Sequence, residues 1–128
     1  MCIRDSYNSN PYSLKRALEV LDAFQAPGGR KILVMGDMME LGKSKYSFHT
    51  EAARAALKVC HILITVGGLT QAAVEGLKVE DSDAARIFTC STSTQAREIL
   101  FGTVSPKEND IVLVKGSRAM FMEEVFKI

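Results

Sequence analysis

The pattern that most constrains this chain is a regular alternation between short, continuous apolar runs and longer stretches in which apolar residues recur every three or four positions. The runs are Lys31-Ile32-Leu33-Val34-Met35, His61-Ile62-Leu63-Ile64-Thr65-Val66, Arg86-Ile87-Phe88-Thr89-Cys90 and Asp110-Ile111-Val112-Leu113-Val114. Such runs suit strands covered on both faces, because no position is reserved for water. Behind Pro11, the residues Leu14, Ala17, Leu18 and Leu21 fall at i, i+3, i+4 and i+7, with Phe24 a turn further, and Ala26-Pro27-Gly28-Gly29 closes this helix. A second helix is expected to carry Phe48, Ala52, Ala55, Ala56 and Val59 on its inner side, and a short third covers 69–77. After a polar loop over 80–83, Thr92-Ser93-Thr94-Gln95 has capping-box spacing and opens a fourth helix with Ala96, Ile99 and Leu100 inward. A last helix, capped by Ser117, would carry Met122, Val125 and Phe126. Strands alternating with helices at this spacing predict right-handed βαβ units. The fold class is therefore α/β, Rossmann-like, with a mainly parallel sheet covered by helices on both faces.

At 128 residues, the chain suits one domain that buries about two thirds of its unfolded surface. Sixteen basic residues face fifteen acidic ones, which argues against a general nucleic-acid or membrane surface. Cys2, Cys60 and Cys90 are widely spaced with no CxxC. They suit reduced thiols better than a disulfide frame or a zinc site. No apolar run approaches the roughly 18 residues of a membrane span, so a soluble, cytoplasmic protein is expected. Met1-Cys2-Ile3-Arg4 shows no periodicity and reads as a spurious, non-native start, which leaves 5–128 as the domain proper.

In such sheets ligands bind outside the carboxyl ends of the strands. The polar segments 36–42, Gly67-Gly68, Cys90-Ser91 and 115–118 all fall there. A strand just before Tyr7, missing from this sequence as read, would put the motif of Asp5, Tyr7, Asn8 and Asn10 on the same rim. Asn10-Pro11 is itself a good helix entry: Asn caps orphan amides and Pro has no N–H to lose. The polar groups before it lie where a helix dipole favours an anion.

Several segments invite a reading they do not support. Gly42-Lys43-Ser44 ends like a P-loop, but five residues separate Gly36 from Gly42 where that motif needs four. His61, at a strand start, reads as structural, and His49 as a candidate anchor for the neighbouring loop. Met120 and Met122 read as core filler. Lys115-Gly116-Ser117-Arg118 is a better signal, with two cations and a hydroxyl at a strand end and a glycine that would permit close backbone approach. With Asp37 and Glu40 opposite, the rim has both signs of charge and suits a zwitterion.

Three motifs then coincide in order: Asp5-x-Tyr7-Asn8-x-Asn10-Pro11; Gly36-Asp37-Met38-x-Glu40-Leu41-Gly42 with His49 downstream; and Val114-Lys115-Gly116-Ser117-Arg118-x-Met120 with Glu123. Together they resemble the C-terminal domain of the Mur ligases, over about Tyr7 to the end, and are most like the branch that adds D-alanyl-D-alanine. The resemblance implies an ATP-dependent carbon–nitrogen ligase of bacterial peptidoglycan synthesis. ATP phosphorylates the carboxylate of UDP-N-acetylmuramoyl-tripeptide, and the amine of D-alanyl-D-alanine attacks the acyl phosphate to form an amide. It also implies that Asp5, Tyr7, Asn8 and Asn10 contact the nucleotide, and that Asp37, Glu40, Lys115, Ser117 and Arg118 help hold the incoming dipeptide. The P-loop and Mg2+ ligands would lie in a central domain and the UDP site in an N-terminal one, neither of them in this sequence. The chain alone is therefore expected to fold without ligating. Two other readings remain: a free-standing Rossmann-like module for a nucleotide or small acid, and the C-terminal domain of a folylpolyglutamate- or cyanophycin-type ligase.

Overall fold

The computed structural model describes residues 2–5, 9–116 and 120–126. Among them, five strands form one sheet: β1 (Cys2–Asp5), β2 (Lys31–Gly36), β3 (Ile62–Val66), β4 (Ile87–Cys90) and β5 (Ile111–Lys115). Their order is β1-β5-β2-β3-β4, and every pairing is parallel. The helices are α1 (Pro11–Ala23), α2 (Lys45–Val59), α3 (Gly68–Leu77), the single turn α4 (Asp81–Ala84) and α5 (Ser93–Glu98). The α/β, Rossmann-like expectation holds.

Period-two alternation divides the core into two layers. Leu33, Met35, Leu63, Ile111 and Leu113 pack against Leu14, Leu18 and Leu21 of α1 and the alanines of α2 and α3. Ile32, Val34, Ile64, Val66, Val112 and Val114 pack on the other side against Ala96, Leu100, Met122 and Val125. Helix α1 starts where its caps dictate. Asn10 Oδ1 accepts the Ser13 N–H at 2.8 Å, Ser13 Oγ accepts the Asn10 N–H at 3.0 Å, and Pro11 takes the first turn. The capping box at Thr92 and Gln95 is likewise formed.

The structure differs from expectation at several points. Cys2-Ile3-Arg4, in which the sequence shows no strand periodicity, form the edge strand β1 with Asp5, in register with Val112 through Lys115. An edge strand needs one hydrogen-bonded neighbour, so four residues suffice without any visible periodicity. The buried face of α2 is His49, Ala52, Ala53 and Ala56. Phe48 and Ala55 lie on its exposed side, so the helix is rotated about one position from the expected stripe. The turn α4 occupies most of the expected loop over 80–83 and runs on to Ala84. Helix α5 loosens into a π-helical turn over Ile99–Val104. The final helix is a 3-10 turn over Met122–Phe126, and the expected cap Ser117 lies outside the described residues.

The end of the sheet away from the rim is closed by two arginines. Arg30 is paired with Asp110 at 2.7 Å and also donates to the carbonyls of Val104 and Ser105, where the π-helical turn ends. Arg86 donates to the carbonyls of Leu57 and Cys60 at the end of α2. Cationic donors satisfy carbonyls that a helix end leaves without partners.

Candidate functional site

The carboxyl ends of β1, β5, β2 and β3 form one continuous rim. At its first rung Asp5 stands opposite Lys115, and Lys115 stands opposite Met35. Lys115 is buried, at 1% exposed. Tyr7, Asn8, Ser117 and Arg118 lie outside the described residues. Asn10 sits at the start of α1 with its Oδ1 engaged in the helix cap, leaving its Nδ2 as the remaining donor.

The loop after β2 is the most constrained part of the rim. Asp37 is buried, at 6% exposed. Its N–H donates to Val66 O at 3.0 Å, and its carboxylate accepts the N–H groups of Leu69 at 3.1 Å and Thr70 at 2.8 Å. It thus caps α3 from a different strand, placing a negative charge at the positive end of that helix. Gly67, the residue before α3, has φ 114 and leaves no room for a Cβ beside this carboxylate. Thr70 Oγ1 closes the turn by donating to Gly67 O at 3.2 Å.

One residue further on, the Met38 N–H donates to His49 Nε2 at 2.9 Å, while His49 Nδ1 lies 2.5 Å from Lys45 O. With Nε2 accepting, the ring proton sits on Nδ1 and is donated to that carbonyl. His49 is thus an anchor of the loop and fully buried. Beyond this point the chain turns outward. Met39 and Glu40 are exposed, and Glu40 adopts φ 60, a left-handed conformation uncommon for a residue with a Cβ. Leu41 packs back against the core.

The role expected for Gly116 changes. A Cβ there would overlap the Met122 side chain, and one on Gly36 would lie 3.0 Å from Met122 Sδ. These glycines admit a core methionine between two strand ends rather than a ligand. Met122 is fully buried, as core filler should be. His61 is structural at the opposite end, where its Nδ1 accepts the Lys31 N–H at 2.8 Å.

The two buried thiols, Cys60 and Cys90, are poor nucleophiles. Burial pushes Cys60 up to about 12 and Cys90 up to about 11, beyond what Arg86 and nearby backbone groups offset. Among the described residues no three side chains of His, Cys, Asp or Glu gather as metal ligands. No helix there is long and apolar enough to cross a membrane. The rim's described chemistry is that of holding and orienting: an exposed carboxylate at Glu40, a helix start at Asn10, and the backbone register of β1 with β5 at Asp5 and Lys115. Sequence reasoning gathered these segments and read His49 as a candidate loop anchor, as it proves to be. It missed that Asp37 caps α3, and it set Phe48 rather than His49 on the inner face of α2. Neither the Asp37–Thr70 contact nor the direction of His49 has a local sequence signal.

Residues 1–118 match the family described as Mur ligase, glutamate ligase domain. The chain is 35% identical to the UDP-N-acetylmuramoyl-tripeptide–D-alanyl-D-alanine ligase of Bacillus subtilis, over 98% of this chain and 27% of that protein. It is 33% identical to the ligase of the same name from Escherichia coli, over 99% of this chain and 26% of that one. A crystal structure of MurF from Acinetobacter baumannii superposes with a TM-score of 0.78 at 30% identity, covering 94% of this chain and 26% of that one. MurF ligase from Thermotoga maritima in complex with ADP superposes at 0.71, also at 30% identity, over 94% of this chain and 26% of that one. The chain thus spans about a quarter of the length of the curated relatives it matches.

Proposed function

Since this chain belongs to the Mur ligase family, as its glutamate ligase domain, we propose that it serves as the C-terminal domain of a ligase joining D-alanyl-D-alanine to UDP-N-acetylmuramoyl-tripeptide. The observation that carries this reading is the 35% identity along nearly the whole chain to a relative of that name. In the proposed enzyme, N-terminal and central domains of the same polypeptide hold the UDP-sugar, Mg2+ and most of the ATP site.

ATP, when bound, supplies the phosphoryl group that activates the tripeptide carboxylate. This chain contributes the surface that meets the nucleotide from one side and delivers the dipeptide from the other. Asp5, Tyr7, Asn8 and Asn10 make the nucleotide side, a reading that rests on the opening motif of the sequence. Lys115, Ser117 and Arg118 offer cationic and hydroxyl groups to the dipeptide carboxylate, and Glu40 offers an anion to its ammonium. Asp37 acts with them by fixing the loop, because both its carboxylate oxygens are already engaged by backbone amides. Holding the amine near the activated carboxyl lowers the entropic barrier to attack. That amine must give up a proton as the carbon–nitrogen bond forms and phosphate leaves.

The test is phosphate release by a full-length ligase carrying this domain, with ATP, UDP-N-acetylmuramoyl-tripeptide and a panel of amino components. Release driven by D-alanyl-D-alanine and not by L-glutamate is expected. A parallel assay replaces the tripeptide by a folate, and release driven there by L-glutamate would replace this reading with the folylpolyglutamate one.

A further inference from the structure

We propose that His49 is a positioning residue, which fixes the loop after β2 so that Glu40 is held at the rim as the anion for the dipeptide's ammonium. The ligand identity rests on the function proposed above; the clamp itself rests on geometry alone.

The inner face of α2 is otherwise small and apolar, made of Ala52, Ala53 and Ala56. A fully buried imidazole in that row is unfavourable unless both its nitrogens find partners. Both do, and the partner that matters is not on the helix. The chain leaves the sheet after Gly36, so the Met38 N–H has no ladder acceptor, and Met38 is itself buried at 1% exposed. His49 Nε2 is its acceptor at 2.9 Å. Asp37 is fixed at the same time through Val66 O and the amides of Leu69 and Thr70. On the far side Leu41 is seated against the core. Two buried attachments before Glu40 and one after it leave little freedom for the residue between them. They sustain its φ of 60, a conformation that persists only where its surroundings over-determine it. The consequence is a bracket that presents one exposed side chain, that of Glu40, from the loop that follows β2.

A role in filling the core predicts that size at position 49 matters. A positioning role predicts instead that the acceptor for Met38 matters. His49→Gln keeps an acceptor within reach of that N–H, whereas His49→Asn is too short and His49→Ala has none. The labelled chain, these variants and Glu40→Gln are titrated with D-alanyl-D-alanine by NMR, and amide hydrogen exchange is measured in parallel. The Met38 amide should exchange at least about tenfold faster in His49→Ala and His49→Asn, and return toward the original rate in His49→Gln. The dipeptide Kd should rise about fivefold in His49→Ala, His49→Asn and Glu40→Gln, and stay within about twofold in His49→Gln. Should His49→Ala fail to fold, the Asn and Gln pair still decides the matter. Unchanged Met38 exchange in His49→Asn overturns the clamp, and unchanged Kd there or in Glu40→Gln overturns the positioning role. If the unmodified chain does not bind the dipeptide while Met38 exchange responds as expected, the ligand reading fails and the clamp stands.

Discussion

The Asp37 carboxylate lies where a Cβ on Gly67 would have to go, and so joins the exit of β2 to the entry of α3. The glycine supplies both the φ of 114 and the empty space; the aspartate supplies the acceptors. Gly67→Ala should therefore cost about 3 kcal/mol, combining a left-handed backbone with displacement of a buried, hydrogen-bonded carboxylate. Asp37→Ala should cost about 1.5 kcal/mol through loss of the cap alone. Urea unfolding of both variants checks the order, and an Asp37→Ala loss larger than that of Gly67→Ala would contradict it.

Asp110 makes stability depend on acid. Burial raises its pKa, but hydrogen bonds from the Arg30 side chain and from the Lys107 and Arg30 amides, with the Arg30 charge, outweigh that and hold it at about 2 against an ordinary 3.8. A pKa depressed on folding stabilises the native state above the unfolded value. That contribution is lost as pH falls from about 4 towards 2. Its size is about 2 kcal/mol. Urea midpoints between pH 2 and 6 should drop through this window, and Asp110→Asn should lower stability at pH 6 while flattening the slope. An Asp110→Asn variant with the original slope would place the acid sensitivity elsewhere.

Gly116 and Met122 should behave as a coupled pair. Gly116→Ala alone forces the buried methionine aside, at about 2 kcal/mol. Met122→Ala costs about 3 kcal/mol by leaving a cavity. In the double variant the added methyl enters that cavity, so its further cost should be about 0.5 kcal/mol or less. Simple additivity in a double-mutant cycle would refute the contact.

Thr65 sits fully buried in β3 between Met35 and Thr89, and its Oγ1 has no hydrogen-bond partner among the described residues. Replacing it by valine keeps the shape and the β-branching and removes an unsatisfied hydroxyl. Thermal and chemical unfolding should show Thr65→Val more stable by about 1 kcal/mol. A loss of stability would mean that the hydroxyl is satisfied in solution.

The architecture was legible because it rests on periodicity, a property of neighbouring residues. Leu14, Ala17, Leu18 and Leu21 face inward as their spacing requires, and Leu33, Leu63 and Leu113 align across the sheet. The Mur ligase resemblance was legible because three motifs fall in order along one chain, and the family match agrees with it. What stayed hidden depends on residues that meet only after folding. Phe48 is the more apolar of two neighbours, yet His49 takes the inner position because a loop amide eleven residues earlier needs its nitrogen. Gly116 reads as space for a ligand until Met122 is seen to fill it. Cys2 to Asp5 show no strand signal, since a four-residue edge is too short to display one.

The pairing of β1 with β5 brings together residues at positions 2–5 and 111–115 of the sequence. The Asp5 and Lys115 sides of the rim therefore cannot meet until nearly all of the intervening chain has been synthesised and β5 has docked on β2. Closing so large a loop is an entropic barrier that local contacts do not relieve. The rim is thus a late product of folding, and a chain released by the ribosome before β5 would lack the interior strand that joins β1 to β2. Competence to receive a ligand there would accordingly report on completed translation of the domain.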